Sequence, residues 1–197
     1  QLKMELEEMG TKVYLIKADL SNVNQVKKIV PFAYKKMKGL DCLINNASLF
    51  EKDDLENFND KSFSKHLDIN LKAPAFLIKD FKRYVRNKEA NIINIIDQRV
   101  KKLTPFFFSY TLSKAALATL TTTVAMKLAP NIRVNCIAPS LTNSKISNFL
   151  LKNEKMAESI AKMHPLKRIG DGGDSASFAK FLLTDESSWI TGQVFGV

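Results

Sequence analysis

Short apolar segments at regular intervals constrain the fold of this chain more than any other feature. Five of them are almost wholly apolar and of strand length: residues 13–16, 40–44, 92–96, 132–138 and 193–197. Helix-length segments with apolar faces surround and separate them: residues 1–9, 21–39, 62–84, 109–128 and 175–183. Apolar strands that alternate with helices are typical of a parallel sheet covered on both faces. The sequence therefore predicts a doubly wound α/β fold.

Local signals place the ends of several helices. Ser21 is the expected N-cap of the second helix and Gly39 its end, with Pro31 predicting a kink or a late first turn. A long helix is expected over residues 62–84 despite Pro74. A polar stretch precedes the last helix.

Size and cysteine content indicate one domain in a reducing compartment. The chain has 197 residues, 45% of them apolar, which is enough for a single core. Cys42 and Cys136 lie far apart inside apolar runs, which favours small core residues over a metal or redox pair. His66 and His164 lack ligand partners at metal-binding spacing and are predicted to be surface or helix residues without a metal. No apolar run is long enough for a membrane span, so we expect a cytoplasmic protein that binds no membrane.

The net charge of +10 is distributed over the chain rather than clustered. Lysines recur on the expected solvent faces of helices, as at Lys27, Lys28 and Lys35. No recognised nucleic-acid module accompanies the charge, so the sequence argues against a nucleic-acid partner.

The pair Tyr110 and Lys114 is the strongest local chemical signal. A spacing of four residues places both side chains on one face of the predicted helix, one turn apart. The ammonium of Lys114 is expected to lower the pKa of the Tyr110 phenol toward neutrality, which would make it a proton donor. The alternative is an unrelated Tyr and Lys on a partly solvated helix.

Polar residues at strand ends support the chemical interpretation. Asp97 closes the strand over residues 92–96, and Asn45 and Asn46 close the strand before it. The carboxyl ends of strands are where open α/β sheets bind ligands. Asn70 interrupts an apolar helix face, where a buried amide needs a partner. Turn formation by the asparagines and capping by Asp97 are the simpler alternatives.

These residues together resemble the short-chain dehydrogenase/reductase family along the whole chain. The similar segments are Asp19-Leu20, Asn45-Asn46-Ala47-Ser48, the set Asn70, Asp97, Tyr110 and Lys114, Arg133-Val134-Asn135 with Pro139-Ser140-Leu141-Thr142, and Ile190-Thr191-Gly192-Gln193. The resemblance implies a Rossmann-like fold and an NAD(P)H-dependent oxidoreductase.

The resemblance also implies roles for individual residues. Tyr110 would donate a proton, Lys114 would bind the nicotinamide ribose, and Asn70 would hold a water that links Lys114 to solvent. The cofactor would contact a wider set: Asp19, Leu20, Asn46, Ala47, Ser48, Tyr110, Lys114, Pro139, Ser140 and Thr142. NADPH is the expected cofactor, with NADH possible, and the family implies a homotetramer.

Three departures from the common family pattern resemble its pteridine reductase branch. Asp97 replaces the usual serine, Ser48 replaces the last glycine of the asparagine motif, and Phe50 follows where that branch has a ring-stacking aromatic. Ser140 in place of glycine is similar to the dihydromonapterin reductases. The substrate site is therefore expected to comprise Phe50, Asp97 and Tyr110. Phe50 as a core residue is the alternative, and Phe106, Phe107 and Phe108 could form a pocket wall or a subunit contact.

The expected function is NADPH-dependent reduction of a dihydropterin. A 3-oxoacyl thioester or other carbonyl reductase of the same family is the alternative, and a catalytically silent dinucleotide-binding or scaffold protein is the alternative of another class. The chain contains no glycine-rich turn for the cofactor pyrophosphate. We therefore expect residues 1–197 to be a single domain that lacks the N-terminal strand, loop, helix and strand, about 40 residues by the size of such units, and the end of its last strand.

Overall fold

The computed structural model describes residues 2–85, 89–144, 147 and 153–197. The four strands are β1 (Cys42–Asn45), β2 (Ala90–Ile95), β3 (Ile132–Ala138) and β4 (Val194–Gly196). The helices are α1 (Leu2–Glu8), α2 (Val23–Met37), α3 (Asp60–Leu67), α4 (Ala73–Val85), α5 (Phe108–Leu128), α6 (Glu154–Met163) and α7 (Gly172–Leu182). No helix of these residues has the length and apolarity that a membrane span requires.

The strands form one parallel sheet in the order β1-β2-β3-β4. Successive side chains of a strand point to opposite faces, so neighbouring isoleucines of β2 enter different cores. Ile92 packs with α2, α4 and α5, whereas Ile93 packs with Leu182 and Phe178 of α7. Helices therefore cover both faces, which confirms the doubly wound, Rossmann-like α/β prediction.

The predicted strand over residues 13–16 does not form. These residues are irregular, and Leu15 is 69% exposed. None of the described strands lies beside them, and an extended segment is not stabilised as a strand without a hydrogen-bonded neighbour. The prediction was wrong because periodicity reports a preference, while a strand also needs a partner.

The second helix begins one residue later than predicted. Its N-cap is Asn22 rather than Ser21, and the Asn22 side chain accepts hydrogen bonds from the N–H groups of Asn24 and Gln25. The helix runs on through Pro31 and ends at Lys38, whose φ of 60° is left-handed. Gly39 is therefore not the terminating residue.

The helix predicted over residues 62–84 is three elements in a row. A π-helical turn, Asp68–Lys72, joins α3 to α4, and the Ala73 N–H donates to the Asp68 carbonyl. Pro74 has no N–H with which to bond the carbonyl of Asn70, four residues earlier. The wider turn places Asn70 inside the structure, as π-helical turns often do at functional sites.

His66 is a helix residue, as predicted: it lies in α3 and is fully buried, with its Nδ1 2.9 Å from the Ser62 carbonyl and its Nε2 accepting the Glu51 N–H at 3.3 Å. The prediction for Cys42 was wrong. Cys42 is exposed on β1, whereas Cys136 is buried as expected. Helix α6 was not predicted, although Met156, Ile160 and Met163 give it an apolar face at helical spacing.

Candidate functional site

The carboxyl ends of the strands open into a cleft of about 1070 Å³. Asn46 follows β1, Asp97 follows β2, and Pro139 follows β3, and all three line the cleft. The parallel register brings these ends to one edge of the sheet. This is the edge at which open α/β sheets place their ligands.

Asp97 uses its two carboxylate oxygens for different partners. Oδ1 accepts the Arg99 N–H at 2.8 Å and thereby caps the short 3₁₀ turn Gln98–Val100. Oδ2 accepts the hydroxyl of Tyr110 at 2.9 Å. Asp97 thus both caps a turn and contacts Tyr110, so each of the two interpretations of this residue describes one of its oxygens.

The Asp97 contact changes the expected acidity of Tyr110. Burial, followed by the charge and the hydrogen bond of Asp97, raises the pKa of the Tyr110 phenol above its ordinary value. Arg99 and Ser48 lower it, but by less. The prediction that Lys114 brings this pKa toward neutrality was wrong, because burial, and after it the carboxylate of Asp97, raises the pKa instead.

Lys114 lies one helical turn beyond Tyr110 and is only 2% exposed. Its Nζ donates to the Ile95 carbonyl at 2.8 Å and lies 5.9 Å from the centre of the Tyr110 ring. Burial lowers the pKa of Lys114 to about 8, against the opposing charges of Asp97 and Cys136. An ammonium has three donors, and the Ile95 carbonyl is the one hydrogen-bond acceptor that it contacts among the described residues.

Asn70 is fully buried and bonded at both ends of its amide. Its Oδ1 accepts the Leu49 N–H at 2.8 Å and the Ser48 hydroxyl at 3.3 Å. Its Nδ2 donates to the Leu49 carbonyl at 2.9 Å and to the Ser113 hydroxyl at 3.0 Å. The amide therefore has no capacity left for the water that the sequence led us to expect there.

A second buried amide supports the sheet below the cleft. Asn94 of β2 accepts from Asn45 at 2.7 Å and donates to Thr121 at 2.8 Å. The Thr121 hydroxyl also contacts the Cys136 sulfur at 2.9 Å. This chain of side chains connects β1, β2 and β3 to α5, which carries Tyr110 and Lys114.

Asp53 fixes the start of α5, a role that sequence reasoning missed. Its buried carboxylate accepts the Ser109 N–H at 3.1 Å, and its carbonyl accepts the Phe107 N–H at 2.7 Å. Phe107 precedes the helix with a left-handed φ of 60° and offers no side-chain cap. Asp53 thus supplies from a distant loop the acceptor that a helix N-terminus needs.

Aromatic rings form one wall of the cleft. Phe50 stacks on Phe107 with ring centres 4.4 Å apart and meets Tyr110 edge-on at 4.7 Å. The Arg99 guanidinium lies 4.5 Å from the Phe107 ring centre. Phe50 lines the cleft, so it is a wall residue rather than only a core residue, and Phe107 supports it from behind.

The segment after β3 is held from both sides. The Ser140 hydroxyl lies 2.8 Å from Nε2 of His164, and the Ser140 N–H donates to the Val197 carbonyl at 2.7 Å. Thr142 donates to the Ser140 carbonyl at 2.9 Å. His164 therefore positions Ser140.

The described residues contain no cluster of three or more side chains that could hold a metal ion.

The structure brings most of the predicted residues together. Those that line the cleft are Asn46, Phe50, Asp97, Tyr110, Pro139, Ser140 and Thr142. Lys114, Ser48 and Asn70 do not line it: Lys114 bonds the carbonyl of the lining residue Ile95, and Ser48 bonds Asn70.

Besides Ser48 and Lys114, three predicted cofactor residues lie outside the cleft lining: Asp19, Leu20 and Ala47. Asp19 is exposed and accepts both the N–H and the hydroxyl of Ser21, contacts that lower its pKa. Leu20 packs against the core below α2 and α4.

Gln98, Arg99 and Lys102 line the cleft and were not predicted. Their position directly after Asp97 was a usable signal, because residues that follow a ligand-binding strand end share its edge of the sheet. Met163 and Lys180 also line the cleft from α6 and α7. No local motif marks those two residues.

Comparisons with known proteins agree with this geometry. The family model described as enoyl-(acyl carrier protein) reductase matches residues 1–197. The chain is 34% identical over 170 residues to dehydrogenase/reductase SDR family member 4 of Pongo abelii, covering 85% of this chain and 61% of that protein. It is 30% identical to the 3-oxoacyl-[acyl-carrier-protein] reductase FabG of Buchnera aphidicola, covering 92% of this chain and 74% of that protein. The chain thus spans about three fifths of the first of these relatives.

A solved structure matches almost the whole chain. The alternative dihydrofolate reductase 1, FolM, of Brucella canis, crystallised in complex with NADP, is 33% identical with a TM-score of 0.86. The match covers 99% of this chain and 75% of that one. The fold, the strand-end cleft and these matches lead to one conclusion: the chain belongs to the short-chain dehydrogenase/reductase family.

Proposed function

We propose that this protein reduces a carbon–nitrogen double bond of a 7,8-dihydropterin with NADPH. The observation that carries the proposal is the hydrogen bond from the Tyr110 hydroxyl to Asp97 Oδ2, 2.9 Å long, at the cleft. A carboxyl group at this position suits a substrate with ring N–H groups and ring nitrogens.

The acid–base character of the pair favours a pterin over a ketone. A carbonyl oxygen needs hydrogen-bond donors, and an ionised carboxylate offers none. A pterin ring can donate its N–H groups to Asp97 and can accept a proton at a ring nitrogen. The Tyr110 hydroxyl lines the cleft beside Asp97, where it can donate a proton to a ring nitrogen of the substrate.

The residues around the cleft fit a nicotinamide cofactor. The cleft, of about 1070 Å³, is at the upper end of the usual size of ligand pockets, which are about 300–1000 Å³. Asn46, Pro139, Ser140 and Thr142 would hold the nicotinamide end, with the ammonium of Lys114 close behind. When bound, the cofactor supplies the hydride that reduces the substrate carbon.

The chain's own residues then supply the proton. Reduction of a carbon–nitrogen bond adds a hydride to carbon and a proton to nitrogen, and the proton comes from the pair of Tyr110 and Asp97. Lys114, one helical turn after Tyr110, contributes positive charge while its side-chain amine is protonated. The main-chain carbonyl of Asn70 is the group that would bind a water linking Lys114 to solvent. This carbonyl receives no α-helical hydrogen bond, because the residue four positions later is Pro74, which has no N–H.

The aromatic wall gives the pterin ring a place. Phe50 lines the cleft, is supported behind by Phe107, and meets Tyr110 edge-on at 4.7 Å. A flat heteroaromatic ring stacked on Phe50 would lie beside the proton donor. The similarity to a structure named as an alternative dihydrofolate reductase supports the same substrate class.

The test is NADPH oxidation by the full-length protein with 7,8-dihydropterin and an acetoacetyl thioester offered in parallel. We expect turnover of the pterin, and its loss in Tyr110→Phe. Turnover of the thioester alone would contradict the pterin assignment and favour a 3-oxoacyl reductase, for which the FabG relative is the supporting observation. No turnover and no binding of any dinucleotide would favour a silent scaffold protein.

We also propose that the protein acts as a cytoplasmic homotetramer that prefers NADPH, although NADH could substitute. These assignments follow from the family. Light scattering after size exclusion would measure the assembly, and a mass of one chain would contradict it. The ratio of kcat/KM for NADPH and NADH would test the cofactor preference, and a ratio at or below unity would overturn it.

A further inference from the structure

The cleft has an excess of positive charge that proton transfer does not require. Its charged lining residues are Asp97, Arg99, Lys102 and Lys180. The carboxylate of Asp97 is already bonded to Tyr110 and to the Arg99 N–H. Among the described residues, the lining therefore has three cations and no carboxylate besides Asp97.

Arg99 is held in place by ring contacts rather than by an ion pair. Its guanidinium lies 4.5 Å from the Phe107 ring centre and 5.9 Å from that of Phe50. Within the part of the chain that the structure describes, its one side-chain hydrogen bond goes to the Thr104 hydroxyl at 3.2 Å, and no carboxylate forms a salt bridge with it. Most of its N–H donors remain free, in the fork geometry that fits a carboxylate.

Lys102 extends this charge toward solvent. Its N–H donates to the Gln98 carbonyl at 3.0 Å, so it follows the same turn as Arg99. Its side chain is exposed and lines the cleft, and it forms no salt bridge among the described residues. Arg99 and Lys102 thus occupy one rim of the cleft, on the side of the aromatic wall.

We propose that Arg99 and Lys102 form a subsite for the carboxylates of a side chain attached to the pterin. The enzyme would then prefer a pterin with an acidic conjugate, of the dihydrofolate type, over an unconjugated pterin. This inference rests on the proposed function. The position of Arg99 on Phe107 and Phe50 assigns the subsite to the substrate, since that wall is where the pterin ring is proposed to stack.

The test compares 7,8-dihydrofolate with 7,8-dihydrobiopterin, whose side chain is neutral, at saturating NADPH. In the wild-type protein we expect KM for dihydrofolate to be at least about tenfold lower, the effect of one charge-assisted hydrogen bond. In Lys102→Gln the dihydrofolate KM should rise about tenfold more than the dihydrobiopterin KM. Arg99→Gln should do the same, and Arg99→Lys should recover part of the preference.

Lys101→Gln is the matched control, because Lys101 is an exposed neighbour outside the cleft lining. Equal KM values for the two pterins, or parallel changes in Lys102→Gln, would overturn the subsite while leaving pterin reduction intact. A raised KM for NADPH with an unchanged KM for dihydrofolate would assign the charge to the cofactor and also overturn it.

Failure of the proposed function is a separate result. If neither pterin is reduced, calorimetry of dihydrofolate and dihydrobiopterin binding in the presence of NADP⁺ still decides the subsite. Tighter binding of dihydrofolate that Lys102→Gln removes would support it. Equal binding, or binding of neither, would overturn it.

Discussion

Two groups of polar side chains lie next to each other and behave differently. The reactive cluster consists of Asp97, Tyr110 and Lys114, and the amide scaffold consists of Asn70 and Asn94. Both scaffold amides are fully buried, and each is bonded through its oxygen and its nitrogen. In the reactive cluster, Lys114 has one acceptor, and burial shifts the pKa values of Tyr110 and Lys114 in directions that disfavour their charged forms.

The difference indicates that the amide scaffold stabilises the fold, whereas the reactive cluster is available for chemistry. A neutral amide with satisfied hydrogen bonds can be buried at little cost, so Asn70 and Asn94 can hold the strands and α5 together. An ionisable group at the same depth carries a desolvation penalty and keeps unused hydrogen-bonding capacity. We therefore expect substitutions in the reactive cluster to change rates and substitutions in the amide scaffold to change stability.

The largest expected effect is on rate, in Tyr110→Phe. Loss of the proton donor should reduce kcat about 1000-fold, within the usual range of general acid catalysis. The free energy of unfolding should change by less than about 1 kcal/mol, the net worth of one hydrogen bond. Steady-state kinetics and urea denaturation measure the two quantities, with Tyr34→Phe, away from the cleft, as the control. A large loss of stability in Tyr110→Phe would erase the distinction between the two groups.

Asn70→Ala should have the opposite profile. It removes the side chain that bonds both the N–H and the carbonyl of Leu49, and polar groups left without a partner cost about 1–3 kcal/mol each. We expect a loss of about 3 kcal/mol in the free energy of unfolding by urea denaturation. Asn24→Ala, at an exposed position of α2, is the control. An unchanged midpoint for Asn70→Ala would contradict the scaffold assignment.

Asp53→Ala sharpens the comparison at the start of α5. Removal of the acceptor for the Ser109 N–H should cost about 1–2 kcal/mol, the usual value of a helix cap. Asp53→Asn keeps one acceptor oxygen and should lose less. Equal losses in the two variants, measured by chemical denaturation, would show that the charge rather than the hydrogen bond stabilises the helix.

The smallest expected effect is a shift of the pH profile. Lys114 has a pKa of about 8, so an activity that needs its ammonium should fall as the pH rises through about 8. The Asp97 charge raises the pKa of both Lys114 and Tyr110, so Asp97→Asn should lower both. The alkaline limb of kcat/KM should therefore move to lower pH. A limb that stays in place, or moves upward, would show that Asp97 does not control these groups.

Periodicity predicted much of the fold but not its interruptions. Strand β3 and most of α5 lie where their apolar patterns place them, because both are buried on the expected faces. The π-helical turn at Asp68–Lys72 could not be predicted from a period of 3.6 residues, although Pro74 marks the lost hydrogen bond. Helix α6 was predictable, since Met156, Ile160 and Met163 recur at helical spacing along it, although none of its residues is buried.

The candidate site was predictable in its residues and less so in its contacts. The spacing of Tyr110 and Lys114 placed them correctly on one helix, but spacing alone could not show that Asp97 takes the Tyr110 hydroxyl. Asp53 and Arg99 escaped prediction because their roles depend on distant partners, the start of α5 and the ring of Phe107.

The most direct test of the central claim is the substrate preference of Asp97→Ser. We compare kcat/KM for 7,8-dihydropterin and for an acetoacetyl thioester in this variant and in the wild type, with NADPH saturating. The account predicts that pterin reduction falls about 100-fold or more, the scale on which a positioned proton-transfer group contributes, and that thioester reduction rises. Undiminished pterin reduction in Asp97→Ser would contradict it.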